Sequence, residues 1–103
     1  MPQVKVTATQ VRPSLDVEFY TSPFTEEEFA HINQNYFDTG KLIAQSVVYS
    51  DDLLTRIGVK IFDSHESRIE LSIDPVFMKD NRARALYNNA NGITVSATVE
   101  TLA

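Results

Sequence analysis

Apolar and polar residues alternate along much of this chain, and the breaks in that rhythm mark its helices. Val4, Val6 and Ala8, then Leu15, Val17 and Phe19, recur at every second position, the period of a half-buried strand. Pro13, in "VRPS", removes a ladder donor between the two sets. The pattern therefore predicts a strand near 3–10, a bend, and a second strand near 15–20. Thr25 with Glu28 three residues on forms a capping box, and Phe24 is placed to staple against Phe29 across it. The helix that opens there runs to about Asp38, with Phe29, Ile32, Tyr36 and Phe37 as its apolar stripe and Gly40 as a left-handed C-cap.

Two runs rich in β-branched and aromatic residues, 42–49 and 53–62, are joined by Ser50-Asp51-Asp52 and read as a hairpin. In the second arm Ile57, Val59 and Ile61 share one face, Arg56, Lys60 and Phe62 the other, and Gly58 marks a bulge or a close approach. Asp74-Pro75 opens a further helix whose stripe is Val76, Ala83, Leu86, Tyr87 and Ala90, ended by Asn91-Gly92. Ile93, Val95, Ala97 and Val99 then alternate with Thr94, Ser96, Thr98 and Glu100 in a last strand with one wet face.

The stretch "SRIELSIDP" carries two conflicting signals. Ile69, Leu71 and Ile73 alternate as a strand would, whereas Asp63, Ser64 and Glu66 before it and Asp74-Pro75 after it are helix punctuation. Capping and chain order agree on a helix over roughly 64–73, in which Leu71 fits worst because it lies away from the Ile69 and Ile73 side. The order strand, helix, two hairpin strands, helix, strand is the ferredoxin-like pattern. The fold class predicted is α+β, an antiparallel sheet with helices on one face and the 3–10 segment as an extra N-terminal strand.

The segment "YSDDLLTRIGVKIFDSHESRIELSIDPVF" resembles the hairpin and following helix of small dimeric α+β barrel proteins, the superfamily that includes antibiotic-biosynthesis-type monooxygenases. The likeness spans about residues 15 to 101. "DTGKL", "SDDLL" and "YNNANGITV" also resemble small phage-encoded chains of similar length. The barrel resemblance implies a pocket between the helices and the concave face of the sheet. Asn33 and Tyr36 on the first helix and Tyr20, Tyr49 and Arg56 on strands are the candidates to line it. The chain has no Trp and no His in a recognisable pattern, so the residues on which heme-degrading members depend are not matched.

Composition narrows the setting. A chain of 103 residues, 1–103, is expected to be one domain with one core. No apolar run reaches the roughly 18 residues of a membrane span, and no basic n-region precedes an apolar stretch, so a soluble chain beginning near Met1 is expected. Zero cysteines exclude disulfides and thiolate chemistry and suit a cytoplasmic protein, or a virion component assembled in a cytoplasm. A net charge of −5 with no Lys/Arg cluster disfavours nucleic acid and anionic membranes as partners.

Catalytic motifs are missing. Asp38-Thr39-Gly40 has the letters of an aspartic-protease loop but sits at a helix exit without a second half, Gly40-Lys41 lacks the rest of a phosphate loop, and no serine stands in G-x-S-x-G. Glu27 and His31, four apart, are read as an exposed polar pair, so no metal site and no cofactor is predicted. The hairpin arms are apolar on both sides, and a sheet covered by helices on one face leaves the other bare. Ile43, Val47, Leu54 and Phe62 are the interface candidates for a homodimer or higher homo-oligomer. The leading functional expectation is a small non-catalytic assembly or accessory protein, including a phage or virion component. The alternative is a cofactor-independent or heme-linked oxygenase-like enzyme.

Overall fold

The structure, a computed structural model, describes residues 2–102. Four eight-residue strands, β1 (Val4–Val11), β2 (Leu42–Tyr49), β3 (Thr55–Phe62) and β4 (Thr94–Thr101), make one antiparallel sheet in the order β2-β3-β1-β4. Helix α1 (Glu26–Ile32) precedes β2, and α2 (His65–Ser72) and α3 (Pro75–Ala90) join β3 to β4. This is the ferredoxin-like α+β arrangement that the residue pattern predicts, with its strands assigned differently. The 3–10 segment is no addition to the sheet but one of its two central strands, paired with β3 on one side and β4 on the other.

Residues 15–20 form no strand. The alternating Leu15, Val17 and Phe19 run pairs with neither outer strand of the sheet, β2 or β4, and crosses the sheet as an irregular cover. Arg12 fastens its start: its backbone N–H donates to Leu54 O, Nε to Leu53 O and Nη1 to Val17 O. Phe19 is held between the Arg12 and Arg56 guanidinium groups, 4.6 and 4.8 Å from its ring centre.

The capping signals resolve as local geometry. Thr25 and Glu28 exchange both bonds of the capping box, and Phe24 meets Phe29 edge to face at 5.4 Å. The first helix does not stay α-helical to Asp38. It widens over Asn33–Phe37 into a π-helical turn closed by Asp38 N–H donating to Asn33 O, and this turn delivers Tyr36 into the core. In the hairpin, Ser50 O accepts from Leu53 N–H, and Leu53 adopts φ 62, so Leu53 and Leu54 belong to the turn rather than to the second arm. The hairpin's irregularity lies at Leu42/Ala44, not at Gly58.

Ser64 caps α2, accepting from Ser67 N–H, so "SRIELSIDP" is helical up to Ser72. Its buried side is the reverse of the one expected: Leu71 is 2% exposed while Ile69 and Ile73 are 47% and 63% exposed. Leu71 packs with Tyr36, Leu42 and Phe62, flanked by Val6, Ile32, Phe37 and Phe77, in the core between sheet and helices. Asp74 then caps α3, its Oδ1 accepting from Val76 N–H. Its Oδ2 accepts from the buried Tyr36 hydroxyl at 2.7 Å and lies 2.7 Å from His31 Nε2. His31 thus pairs across the fold with Asp74 instead of along its own helix with Glu27. Burial alone would raise the Asp74 pKa, but the bonds from Tyr36, His31 and Val76 outweigh it and hold the carboxyl below its ordinary value. No helix among the described residues is long and apolar enough to cross a membrane.

The inverted face of α2 gives a direct comparison. Leu71→Ala should lower unfolding free energy by roughly 2–5 kcal/mol, the cost of a cavity in a packed core, while Ile69→Ala should stay within about 1 kcal/mol of wild type. Urea denaturation midpoints at unchanged slope measure both. Equal losses would mean that Ile69 is covered in solution.

Candidate functional site

Strand register sorts the side chains of the sheet by face. Val4, Val6, Ala8 and Gln10 of β1 stand opposite Phe62, Lys60, Gly58 and Arg56 of β3, and Gln45, Val47 and Tyr49 of β2 fall in the same rows. Phe62 and Val6 contact the helix core, so this is the helix-covered face. The core occupies only the end of it near Phe62. Towards Arg56 the helices draw away, and a cleft of about 410 Å³ remains between the sheet, the cover segment and α3.

The floor of the cleft is made of small and apolar groups, Val6, Ala8, Val47 and Gly58, with no atom within 4 Å of where a Gly58 Cβ would stand. Its walls are polar. Arg56 donates through Nε and Nη2 to Gln10 Oε1 and through Nη1 to the Tyr20 carbonyl, so it braces strand against cover segment. Opposite, the buried Asp80 of α3 gathers three donors: Tyr20 Oη at 2.9 Å, Ser22 Oγ at 2.8 Å and Arg84 Nη2 at 3.1 Å. Arg84 also donates to Ser22 Oγ, and its guanidinium lies 5.4 Å from the centre of the Tyr20 ring. Burial and then the bond to Asp80 push the Tyr20 hydroxyl pKa up, so it stays a phenol.

Lys60 is the other charged group on the floor. Its Nζ lies 4.3 Å from the centre of the Phe77 ring and makes no hydrogen bond or ion pair among the described residues. Burial, reinforced by Arg84 and opposed by Asp80, lowers its pKa to about 8. Arg56, Lys60 and Arg84 all line the cleft, and among the described residues no Asp or Glu does, Asp80 standing behind Arg84, Tyr20 and Ser22. In a chain of net charge −5 the cleft is locally cationic.

The residues singled out in the sequence divide. Tyr20, Tyr49 and Arg56 line the cleft together. Tyr36 is in the core with its hydroxyl on Asp74, and Asn33 is exposed on the π-helical turn, so neither reaches the cleft. Of the four interface candidates, Phe62 is a core residue at 3% exposure, Val47 faces the cleft, Leu54 is in the hairpin turn and Ile43 is exposed at the β2 irregularity. The uncovered face of the sheet carries Val48, Ile57, Val59 and Ile61 among Thr7, Thr9 and Thr55. Lys60 was legible as a charge on the inner row of an apolar strand. Gln10 and Ser22 carried no signal in the sequence, since their partners Arg56 and Asp80 lie 46 and 58 residues away, and Asp80 showed only its helical spacing to Arg84.

Lys60 has a measurable signature. Between pH 8 and 10 the unfolded chain, with Lys60 at its ordinary value of 10.5, binds more protons than the folded one, so stability should rise with pH across that window. Below pH 8 both states are protonated and the full cost of the buried ammonium is present. Lys60→Met should therefore be more stable than wild type at pH 7, by at most about 3 kcal/mol, and should flatten the rise. Urea unfolding at pH 7, 8, 9 and 10 reads this out; identical pH profiles for the two proteins would place Lys60 in solvent.

No protein-family model matches the chain, and no curated protein matches it in sequence. Solved structures do match over nearly the whole length. SnoaB from Streptomyces nogalater, a cofactor-independent oxygenase, superposes with a TM-score of 0.64 at 13% identity, covering 100% of this chain and 95% of that one. A protein from Caulobacter crescentus, provisionally assigned as an antibiotic biosynthesis monooxygenase, gives 0.58 at 14% identity over 94% and 88% of the two chains. A dimeric ferredoxin-like protein from an uncultured marine organism gives 0.59 at 9% identity over 99% and 96%. At these identities the likeness establishes the fold: this chain is built as the antibiotic-biosynthesis-monooxygenase-like dimeric α+β barrel proteins are built.

Proposed function

We propose that the protein is a homodimeric, cofactor-independent oxygenase acting on an electron-rich phenolic substrate held in the cleft. The cleft carries this reading: it has an apolar floor wide enough for an aromatic ring and hydrogen-bonding walls at its rim. SnoaB, similar in fold, performs oxygenation without a cofactor. Together these favour the enzyme over a non-catalytic assembly or virion component. In such a reaction the substrate supplies the electrons. Ionisation of a phenol raises its electron density for transfer to dioxygen, and the cationic groups around the cleft stabilise the oxyanion formed.

The second half of the proposal concerns the uncovered sheet face. Val48 is exposed there and Ile57, Val59 and Ile61 are half-buried, interspersed with threonines, and a second copy of the chain is the partner that fits. Pairing two such faces would bury roughly 1,200–2,000 Å² in all, the range of specific interfaces. The dimeric state of the marine ferredoxin-like protein supports it.

Two measurements test these halves separately. Purified protein should raise oxygen uptake with quinols and polycyclic phenols above the buffer rate, and Val47→Trp, which fills the cleft from β2 without touching the core, should abolish the increase. Background uptake across the panel would dismiss the oxygenase reading. For assembly, sedimentation at micromolar concentration should give the mass of two chains, and Ile57→Asp should give one chain with native circular dichroism. A wild-type monomer would refute the dimer.

A further inference from the structure

Three cations meet at the cleft, and the structure shows how each is engaged. Arg56 is held by Gln10 Oε1 and the Tyr20 carbonyl, and its guanidinium stacks on Phe19. Arg84 is held by Asp80 and Ser22, although its Nε is buried without a partner among the described residues. Lys60 is held by nothing stronger than the face of Phe77. Lys60 is half-buried, and an ammonium drawn partly out of water without a counter-ion costs stability that a Met of similar shape in a strand's inner row would not.

The position of Lys60 gives its charge a direction. Lys60, Gly58 and Arg56 occupy successive inward positions of β3, with Ala8 opposite Gly58 on β1 and Val47 opposite it on β2. Val6 and Gln45 flank Lys60 itself, and the small side chains lie one row on, around Gly58, where the open space begins. A flat ring resting on Gly58 and Ala8 would lie beside the Lys60 side chain, whose Nζ now sits over the Phe77 ring.

We propose that the cleft selects an aromatic ligand bearing an ionised oxygen, a carboxylate or phenolate, which seats against the Lys60 ammonium while its ring lies over Gly58 and Ala8. This rests on the oxygenase reading for its biological sense and specifies the substrate class: an acidic aromatic rather than a neutral one. The anion supplies a counter-charge that no ion pair among the described residues gives Lys60. The burial that depresses the lysine's pKa would equally strengthen its pairing with a ligand anion.

The test compares 2-naphthoate with 2-naphthamide, which share a ring system and differ in charge, by NMR titration at pH 6.5, where the lysine is protonated. Wild type should bind the naphthoate at least about tenfold more tightly, as expected for a charge-assisted contact, with the largest amide shifts near Ala8, Gly58 and Lys60. Lys60→Met should lose the preference and Lys60→Arg should keep it, each with a native-like spectrum. Equal affinities in wild type, a preference that survives Lys60→Met, or binding of neither probe at millimolar concentration would each overturn the assignment. The preference and oxygen uptake are independent readouts: uptake at background beside an intact charge preference would end the oxygenase reading and leave this one standing.

Discussion

The Asp74 carboxylate is the point on which the arrangement of the helices turns. One oxygen caps the first turn of α3, and the other receives the Tyr36 hydroxyl from the π-helical turn and faces His31 from α1. A single side chain therefore joins both helical segments over the sheet. Tyr36 reaches it only because the helix widens over Asn33–Phe37, and Leu71, one helical turn before Asp74, packs against the same tyrosine. The apolar core and the polar clamp are two sides of one junction.

Anchoring α3 at its first residue fixes everything further along it. Asp80 lies six residues into the helix, roughly 9 Å from the cap at 1.5 Å per residue, where it meets Tyr20 and Ser22 of the cover segment. That segment is tied to the sheet from its other side by Arg12 and Arg56. Helix, cover and sheet are thus joined around the cleft rather than across it, which keeps it open. The core fills one end of the covered face and polar ties hold the other, a division that leaves room for a ligand without exposing the core to water.

How far the sequence revealed this depends on the range of the interaction. Signals that act within four residues were legible: the Thr25 and Glu28 box, the Asp74-Pro75 start, the turn after Tyr49. They outweighed the alternation in "SRIELSIDP" because a cap satisfies backbone donors at once, whereas alternation needs a neighbouring strand. At 15–20 the alternation misled, because that segment meets the sheet through the Arg12 and Arg56 side chains and not through a strand partner. Faces within one strand were legible too, so Arg56 and Tyr49 could be named for the cleft. Which side of α2 would be buried was not, because Ile69 and Ile73 outnumber Leu71 and only the position of Tyr36 decides between them. The Asp80 network was hidden for a related reason: an Asp and an Arg four apart on a helix, Asp80 and Arg84, read as a solvent-exposed pair until the loop that covers them is known.

Gly58 gives the cleft a further property. Its backbone is ordinary, its neighbours Ala8 and Val47 are small, and a methyl group added there would meet nothing. Its lack of a side chain answers no demand of the fold. The depth of the cleft can therefore change by single steps, glycine to alanine to valine, while the core at Phe62 and the ties at Asp80 stay as they are. A lineage could shorten or lengthen the aromatic body it accepts through one codon, with the scaffold registering no difference.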